Sequence, residues 1–309
     1  MAALQQYPQD YPSVTFFAQE TSVVFKVINS LGEAFALKIY DDASSQMADN
    51  QIEILMINTI KSYGTIAVSE IVHNLSEQPI TLFTDSSTGT TYRIVLSKWL
   101  LGTAFEGQAS EELFLALGQA VADLHQATRQ IDLPKEVQPK VWNQVFYFRD
   151  EEAVYRKPQY QSQTTSEFKD MMDEAVECLN RKLSQIYAQG VPQLLHGDLN
   201  PWNIKVHHGQ FSILDFEDAI FGPPIQDLAI LLYYYKEHEH FSFESVKEWV
   251  LQGYTGRYTG ADWDHEAIES LIMARQVNFL NYVLTLDGDY QSYLDAGIER
   301  LKTFLQAGT

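Results

Sequence analysis

Residues 194–218 read Leu194-Leu195-His196-Gly197-Asp198-Leu199-Asn200-Pro201-Trp202-Asn203-Ile204-Lys205-Val206-His207-His208-Gly209-Gln210-Phe211-Ser212-Ile213-Leu214-Asp215-Phe216-Glu217-Asp218. Two short apolar runs, Ile204–Val206 and Phe211–Leu214, flank the turn-forming tetrad His207-His208-Gly209-Gln210. That pattern predicts a β-hairpin. A hairpin brings the residues before its first strand close to those after its second. Asp198, Asn203 and Asp215 are therefore expected to converge on one small volume. Carboxylates and a carboxamide are hard-oxygen ligands suited to Mg2+, and a carboxylate also accepts a proton from a hydroxyl.

The spacing carries more than the residue types. His196-x-Asp198-x4-Asn203 followed by Asp215-Phe216-Glu217 matches the catalytic core of kinase-type phosphotransferases. The phrases His-Gly-Asp-Leu-Asn-Pro-Trp-Asn-Ile and Ile-Leu-Asp-Phe-Glu-Asp-Ala resemble those of the aminoglycoside phosphotransferase and choline kinase superfamily. So does Gly222-Pro223-Pro224-Ile225-Gln226-Asp227-Leu228-Ala229. The resemblance implies a protein-kinase-like fold and transfer of the ATP γ-phosphate to a hydroxyl. It implies that Asp198 orients or deprotonates that hydroxyl, that Asn203 and Asp215 hold Mg2+, and that His196 braces the loop rather than acting as a base. It also implies that Asp227 supports the catalytic loop.

Upstream, residues 13–40 read as β structure. Ser22–Ile28 and Ala34–Tyr40 form two strands around the turn Asn29–Glu33. Lys38 lies on the strand face opposite Phe35, Leu37 and Ile39. A helix is expected over 45–63, with Ile52, Leu55, Met56 and Thr59 or Ile60 as its apolar stripe. By the resemblance, Lys38 contacts the ATP phosphates and Glu53 holds Lys38, with Asp49 and Glu70 as competing partners. Strand-like runs at 67–73, 81–84 and 91–96 complete the region, and Leu96–Leu101 would meet the adenine edge. The phosphate-covering stretch Phe17-Ala18-Gln19-Glu20-Thr21-Ser22-Val23-Val24-Phe25 contains no glycine, so Thr21 and Ser22 are the candidates to meet phosphate. Gly-x4-Gly-Lys-Ser/Thr occurs nowhere, which excludes a Walker-type phosphate loop.

From Ser110 the periodicity is helical. Ser110 is placed to cap a helix carrying Leu113, Leu117, Ala120, Val121 and Leu124. A long helix follows over 167–188, and Asp227 is expected to start an apolar helix over 228–236. The aromatics Trp142, Phe146, Tyr147, Phe148, Tyr254, Tyr258 and Trp263 are candidates for an acceptor pocket, in which aromatic faces suit an ammonium group.

The 309 residues carry 21 basic and 41 acidic side chains, a net charge of −20. Residues 1–100 hold five Lys/Arg against ten Asp/Glu, so the acidity is spread along the chain. That argues against nucleic acid or an anionic membrane as partner and is compatible with a cationic acceptor. The single cysteine, Cys178, excludes an intrachain disulfide and reads as a buried structural thiol. The start, Met1–Pro8, has no basic region or apolar stretch, so a cytoplasmic protein is expected.

These readings predict an α+β, two-lobe protein-kinase-like fold. Residues 1–100 form the β-rich nucleotide-binding lobe, and 101–309 form a mainly helical lobe with catalytic and acceptor-binding roles. ATP and Mg2+ are the implied cofactors. The acceptor class is an amino alcohol, amino acid, sugar or aminoglycoside. Two alternatives stand beside it. Gly222-Pro223-x-x-Gln226-Asp227-Leu228 resembles a bacterial stress-response type of Ser/Thr protein kinase. The glycine-free loop fits a non-catalytic nucleotide-binding relative.

Overall fold

The structure, a computed structural model, describes residues 2–19, 21–43, 45–105, 109–147, 152–260 and 265–307. In chain order the first elements are β1 (Ser13–Gln19), β2 (Val23–Ile28), β3 (Ala34–Tyr40) and α1 (Met47–Tyr63). Then come β4 (Ile71–Val72), β5 (Thr81–Thr84), β6 (Thr91–Lys98), β7 (Thr103–Ala104) and α2 (Glu111–Thr128). The middle holds α3 (Ser166–Gln189), β8 (Gln193–Leu195), β9 (Ile204–His207), β10 (Gln210–Ile213) and β11 (Ile220–Gly222). The rest is helical: α4 (Ile225–Tyr233), α5 (Phe243–Thr255), α6 (His265–Tyr282) and α7 (Gln291–Ala307). Two compact units result. One comprises Met1–Pro139, Pro201–Ala219 and Val250–Tyr258, the other Lys140–Asn200, Ile220–Trp249 and Thr259–Thr309.

In the first unit an antiparallel sheet runs in the order β1-β2-β3-β6-β4, with β5 also pairing β6. One face packs on Tyr7, Tyr11, Val27, Phe35, Leu37, Ile94 and Leu96. Tyr11 meets Phe35 edge-on at 5.4 Å, the arrangement that ring quadrupoles favour. Helix α1 starts in a capping box, in which Asp49 accepts from the backbone N–H of Gln46 at 2.8 Å. Its buried set is Ile52, Ile54, Met56, Ile57 and Ile60, with Leu55 and Thr59 only half-buried. Ile52, Met56 and Ile60 of the expected stripe are thus buried, and Ile54 and Ile57 widen the face. The stretch expected as a strand over 67–73 shortens to β4 and an isolated bridge at Ala67.

The second half of this unit holds the predicted hairpin. β9 and β10 pair antiparallel with His207 opposite Gln210, which leaves a two-residue turn. His208 and Gly209 both have positive φ, 50° and 76°, as a type I′ turn requires. β7 pairs with the other edge of β9. Ser110 caps α2 by accepting from Leu113 N at 3.3 Å. At Gly118 and Gly253 the backbones of α2 and α5 approach so closely that a Cβ on either would strike a carbonyl oxygen, Val250 O or Leu115 O.

In the second unit α3, α4, α6 and α7 pack together, and β8 pairs with β11. Every residue of α4 is buried. The helix begins at Ile225, two residues before Asp227, so Asp227 lies inside the first turn and does not cap it. Cys178 is half-buried on α3, less enclosed than its sequence neighbours suggested.

Candidate active site

In the second unit, β8 delivers the chain into His196-Gly197-Asp198. Gly197 turns it with φ 81°, a left-handed conformation that glycine adopts without steric cost. Three successive N–H groups then need acceptors. Asp227, fully buried on α4, takes two of them: His196 N at 2.7 Å and Gly197 N at 2.9 Å. The third, Asp198 N, donates to His196 Nδ1 at 3.2 Å. His196 is itself fully buried. Asp198 is partly exposed. Its Oδ2 accepts from Asn200 Nδ2 at 2.7 Å, and its Oδ1 accepts from Arg275 Nη2 at 2.9 Å.

In the first unit, the sheet and the hairpin end converge on Lys38. Its Nζ lies 2.6 Å from Asp215 Oδ1, 3.3 Å from Glu217 Oε2 and 3.5 Å from Glu53 Oε1. Burial alone would lower the ammonium's pKa. The charges of Asp215, Glu53 and Glu217 outweigh burial and hold it well above its ordinary value. Glu53 is buried on α1 and also accepts from Tyr40 Oη at 2.8 Å. Its sequence competitors have other work: Asp49 closes the helix cap, and Glu70 pairs with Lys61 and Lys98.

Asn203 and Asp215 stand at the open end of the hairpin, where Leu214 N donates to Asn203 O at 3.0 Å. Asp215 has φ 66°, a strained conformation for a non-glycine residue and one that clusters at functional sites. Among the described residues no three His, Cys, Asp or Glu side chains form a self-sufficient metal cage. This donor chemistry fits Mg2+, which is usually held by one or two carboxylates with phosphate and water completing the shell. Asn203 and Asp215 are the residues that would hold it.

Thr21 and Ser22 both turn their hydroxyls on Glu217. Thr21 Oγ1 donates to Oε1, and Ser22 Oγ donates to Oε2 at 3.1 Å. Burial pushes the Glu217 carboxyl up, to about 7, with Lys38 opposing. The glycine-free loop is therefore tied down by a side-chain carboxylate. Glu20 lies outside the described residues.

The candidate pocket aromatics separate. Tyr254 and Tyr258 are buried beside His125, and Tyr254 Oη lies 2.8 Å from His125 Nδ1. Trp142 and Tyr147 meet in the second unit as tilted rings, with centroids 4.3 Å apart and an interplanar angle of 40°. Phe148 and Trp263 lie outside the described residues. Sequence reasoning missed Arg275, which touches Asp198. Its signal was a lone cation within the mainly apolar helical run Leu271–Leu280, beside Gln276 and Asn278.

The β-rich N-terminal region, the helical C-terminal region and the hairpin define the two-lobe α+β fold of the kinase-like phosphotransferases. The chain belongs to the phosphotransferase enzyme family, whose model matches residues 13–265. An amicoumacin kinase of Bacillus subtilis (strain 168) is 24% identical over 236 residues, which are 75% of this chain. The match spans 66% of that relative, just under two thirds of its length. An amicoumacin kinase solved with AMP-PNP, Ca2+ and Ami superposes with TM-score 0.79 at 20% identity, over 98% of this chain and 91% of that one. A microcompartment-associated aminopropanol kinase gives 0.73 at 14% identity, over 97% and 93%. An aminoglycoside phosphotransferase solved with AMP-PNP and hygromycin B gives 0.63 at 14% identity, over 99% and 97%. Among the described residues no helix is long and apolar enough to cross a membrane.

Proposed function

We propose that the protein transfers the γ-phosphate of ATP to a hydroxyl of a small, amine-bearing molecule. The observation that carries this reading is the contact of Lys38 with Asp215 at 2.6 Å, on a chain whose family is phosphotransferase. In this reading residues 1–100 form the nucleotide-binding lobe and 101–309 supply the catalytic and acceptor-binding residues. Lys38, held by Glu53, meets the phosphates, with Thr21 and Ser22 as further donors. Asn203 and Asp215 hold Mg2+, which when bound screens the phosphate charge. Asp198 orients the acceptor hydroxyl, and His196 keeps the loop in shape. Phosphoryl transfer asks mainly for in-line positioning and electrostatic stabilisation, and these groups supply both.

The amine in the acceptor rests on two supports. The chain carries a net charge of −20. The similar proteins include an aminopropanol kinase and one solved with hygromycin B. Because ATP is the donor, the protein is read as cytoplasmic.

The test is ADP release from Mg2+ and ATP with a panel of amino alcohols, amino acids, sugars, aminoglycosides and amicoumacin. At least one acceptor is expected to stimulate turnover. Asp198→Asn, shown folded by circular dichroism, is expected to lose ~10²–10⁴-fold of that rate. An unchanged rate in that variant sinks the assignment. Labelled phosphate appearing on protein would replace it with the protein-kinase reading, and nucleotide binding without turnover with the non-catalytic one.

A further inference from the structure

Arg275 projects from α6, where its helix neighbours Leu271, Ile272, Ala274 and Val277 are buried. The residue is 6% exposed, yet its guanidinium is held on several sides. Nη1 donates to Tyr147 Oη at 2.6 Å, and Nη2 donates to Tyr234 Oη at 3.2 Å and to Asp198 Oδ1 at 2.9 Å. The Phe279 ring lies 4.8 Å from the guanidinium carbon and the Trp142 ring 5.9 Å. Among the described residues Asp198 is its one carboxylate partner. Among the described residues its buried Nε has no hydrogen-bond partner. The fork is therefore aimed at Asp198 and the two tyrosines at the cost of an unpaired donor.

Enclosing a cation is unfavourable because it strips the ion of water, and an apolar side chain fills such a space at no electrostatic cost. Burial would lower the guanidinium's pKa, but Tyr147, Tyr234 and Asp198 outweigh it, so the charge persists. Only a planar fork reaches three acceptors at once, which a lysine ammonium on a flexible stem does not reproduce.

We propose that Arg275 is a positioning residue for phosphoryl transfer, fixing the plane of the Asp198 carboxylate from beneath while Asn200 holds its other oxygen. This rests on the phosphotransfer reading above. A loose transition state needs the carboxylate to orient the attacking hydroxyl more than to remove its proton early. A carboxylate neutralised by a guanidinium and held at both oxygens suits orientation. A shift of one ångström in such a group is enough to cost about a hundredfold in rate.

The test compares wild type, Arg275→Gln and Arg275→Lys with Mg2+, ATP and an acceptor that wild type turns over. Arg275→Gln is expected to lose about 10–100-fold in kcat while KM for ATP stays within about twofold. Arg275→Lys is expected to recover only part of the loss. A folded Arg275→Gln with wild-type kcat overturns the proposal, as does a rise in KM for ATP with kcat held. If Arg275→Gln does not fold, Tyr234→Phe keeps the charge and removes one anchor. It should lower kcat about threefold or more with KM for ATP unchanged, and an unaltered kcat there overturns the proposal. A wild type inactive on every acceptor defeats the phosphotransfer reading, and the inference with it.

Discussion

Lys38 and Asp215 stand 177 positions apart in the chain, and the ammonium of one lies 2.6 Å from the carboxylate of the other. Glu53 and Glu217 face the same ammonium. One cation thus holds three carboxylates together.

Replacing that cation leaves carboxylates buried without compensation. Lys38→Met is expected to lose ~3 kcal/mol of stability, measured by denaturant unfolding, because breaking a buried pair costs more than the pair gained. The thermal shift given by Mg2+ and ATP should vanish. Adding Glu217→Gln removes one of the stranded charges, so Lys38→Met/Glu217→Gln should recover part of the stability. Additive losses would show that the charges do not share one site.

Lys236 predicts a pH dependence of stability. Its Nζ lies over the Tyr233 ring at 3.7 Å and donates to Gln276 Oε1 at 2.6 Å, an oxygen that also accepts from Arg300 Nε. Burial lowers its pKa to about 7, Arg300 adds to the shift, and Glu237 opposes it. Tyr293 also borders the cluster through Gln276 and Tyr233. Unfolded lysine titrates at roughly 10.4. Between those values the folded state binds fewer protons than the unfolded one, so this group makes stability rise with pH. Its penalty is complete below about 7 and fades as pH approaches roughly 10.4. Lys236→Met should therefore melt above wild type at pH 6.5, and the gap should narrow by pH 9.5. A gap independent of pH would refute the titration.

Gly118 and Gly253 set the approach of α2 to α5. Gly118→Ala forces a methyl group against Val250 O, and Gly253→Ala forces one against Leu115 O. Each substitution is expected to cost about 1–3 kcal/mol, although alanine is the better helix former. Equal or higher stability in either variant would contradict the close approach.

The sequence disclosed what is periodic or closely spaced. The hairpin followed from two apolar runs around turn residues, and it formed with its turn trimmed to His208-Gly209. The β2–β3 pair and the span of α2 followed from alternation and from the Ser110 cap. Glu53 was separated from Asp49 and Glu70 only by the fold, because all three occupy positions a helix surface or a strand end tolerates. The unread parts depend on contacts distant in the chain. Thr21 reaches Glu217 across 196 residues and Arg275 reaches Asp198 across 77, and neither pairing leaves a local signature. Asp227 illustrates a different limit. Its residue type suggested a helix start, but the backbone of His196 and Gly197 claims its carboxylate, and α4 begins earlier.

The His208-Gly209 turn has a further consequence. Because only two residues join β9 to β10, the ladder works as a ruler between Asn203 and Asp215. Swapping the pair for Asn-Gly, which shares its positive φ, leaves the ruler unchanged. Inserting a single residue that shifts the pairing by one would turn every later side chain to the opposite face and aim Asp215 away from Lys38. The part of the hairpin farthest from the chemistry therefore sets the spacing of the groups proposed to perform it.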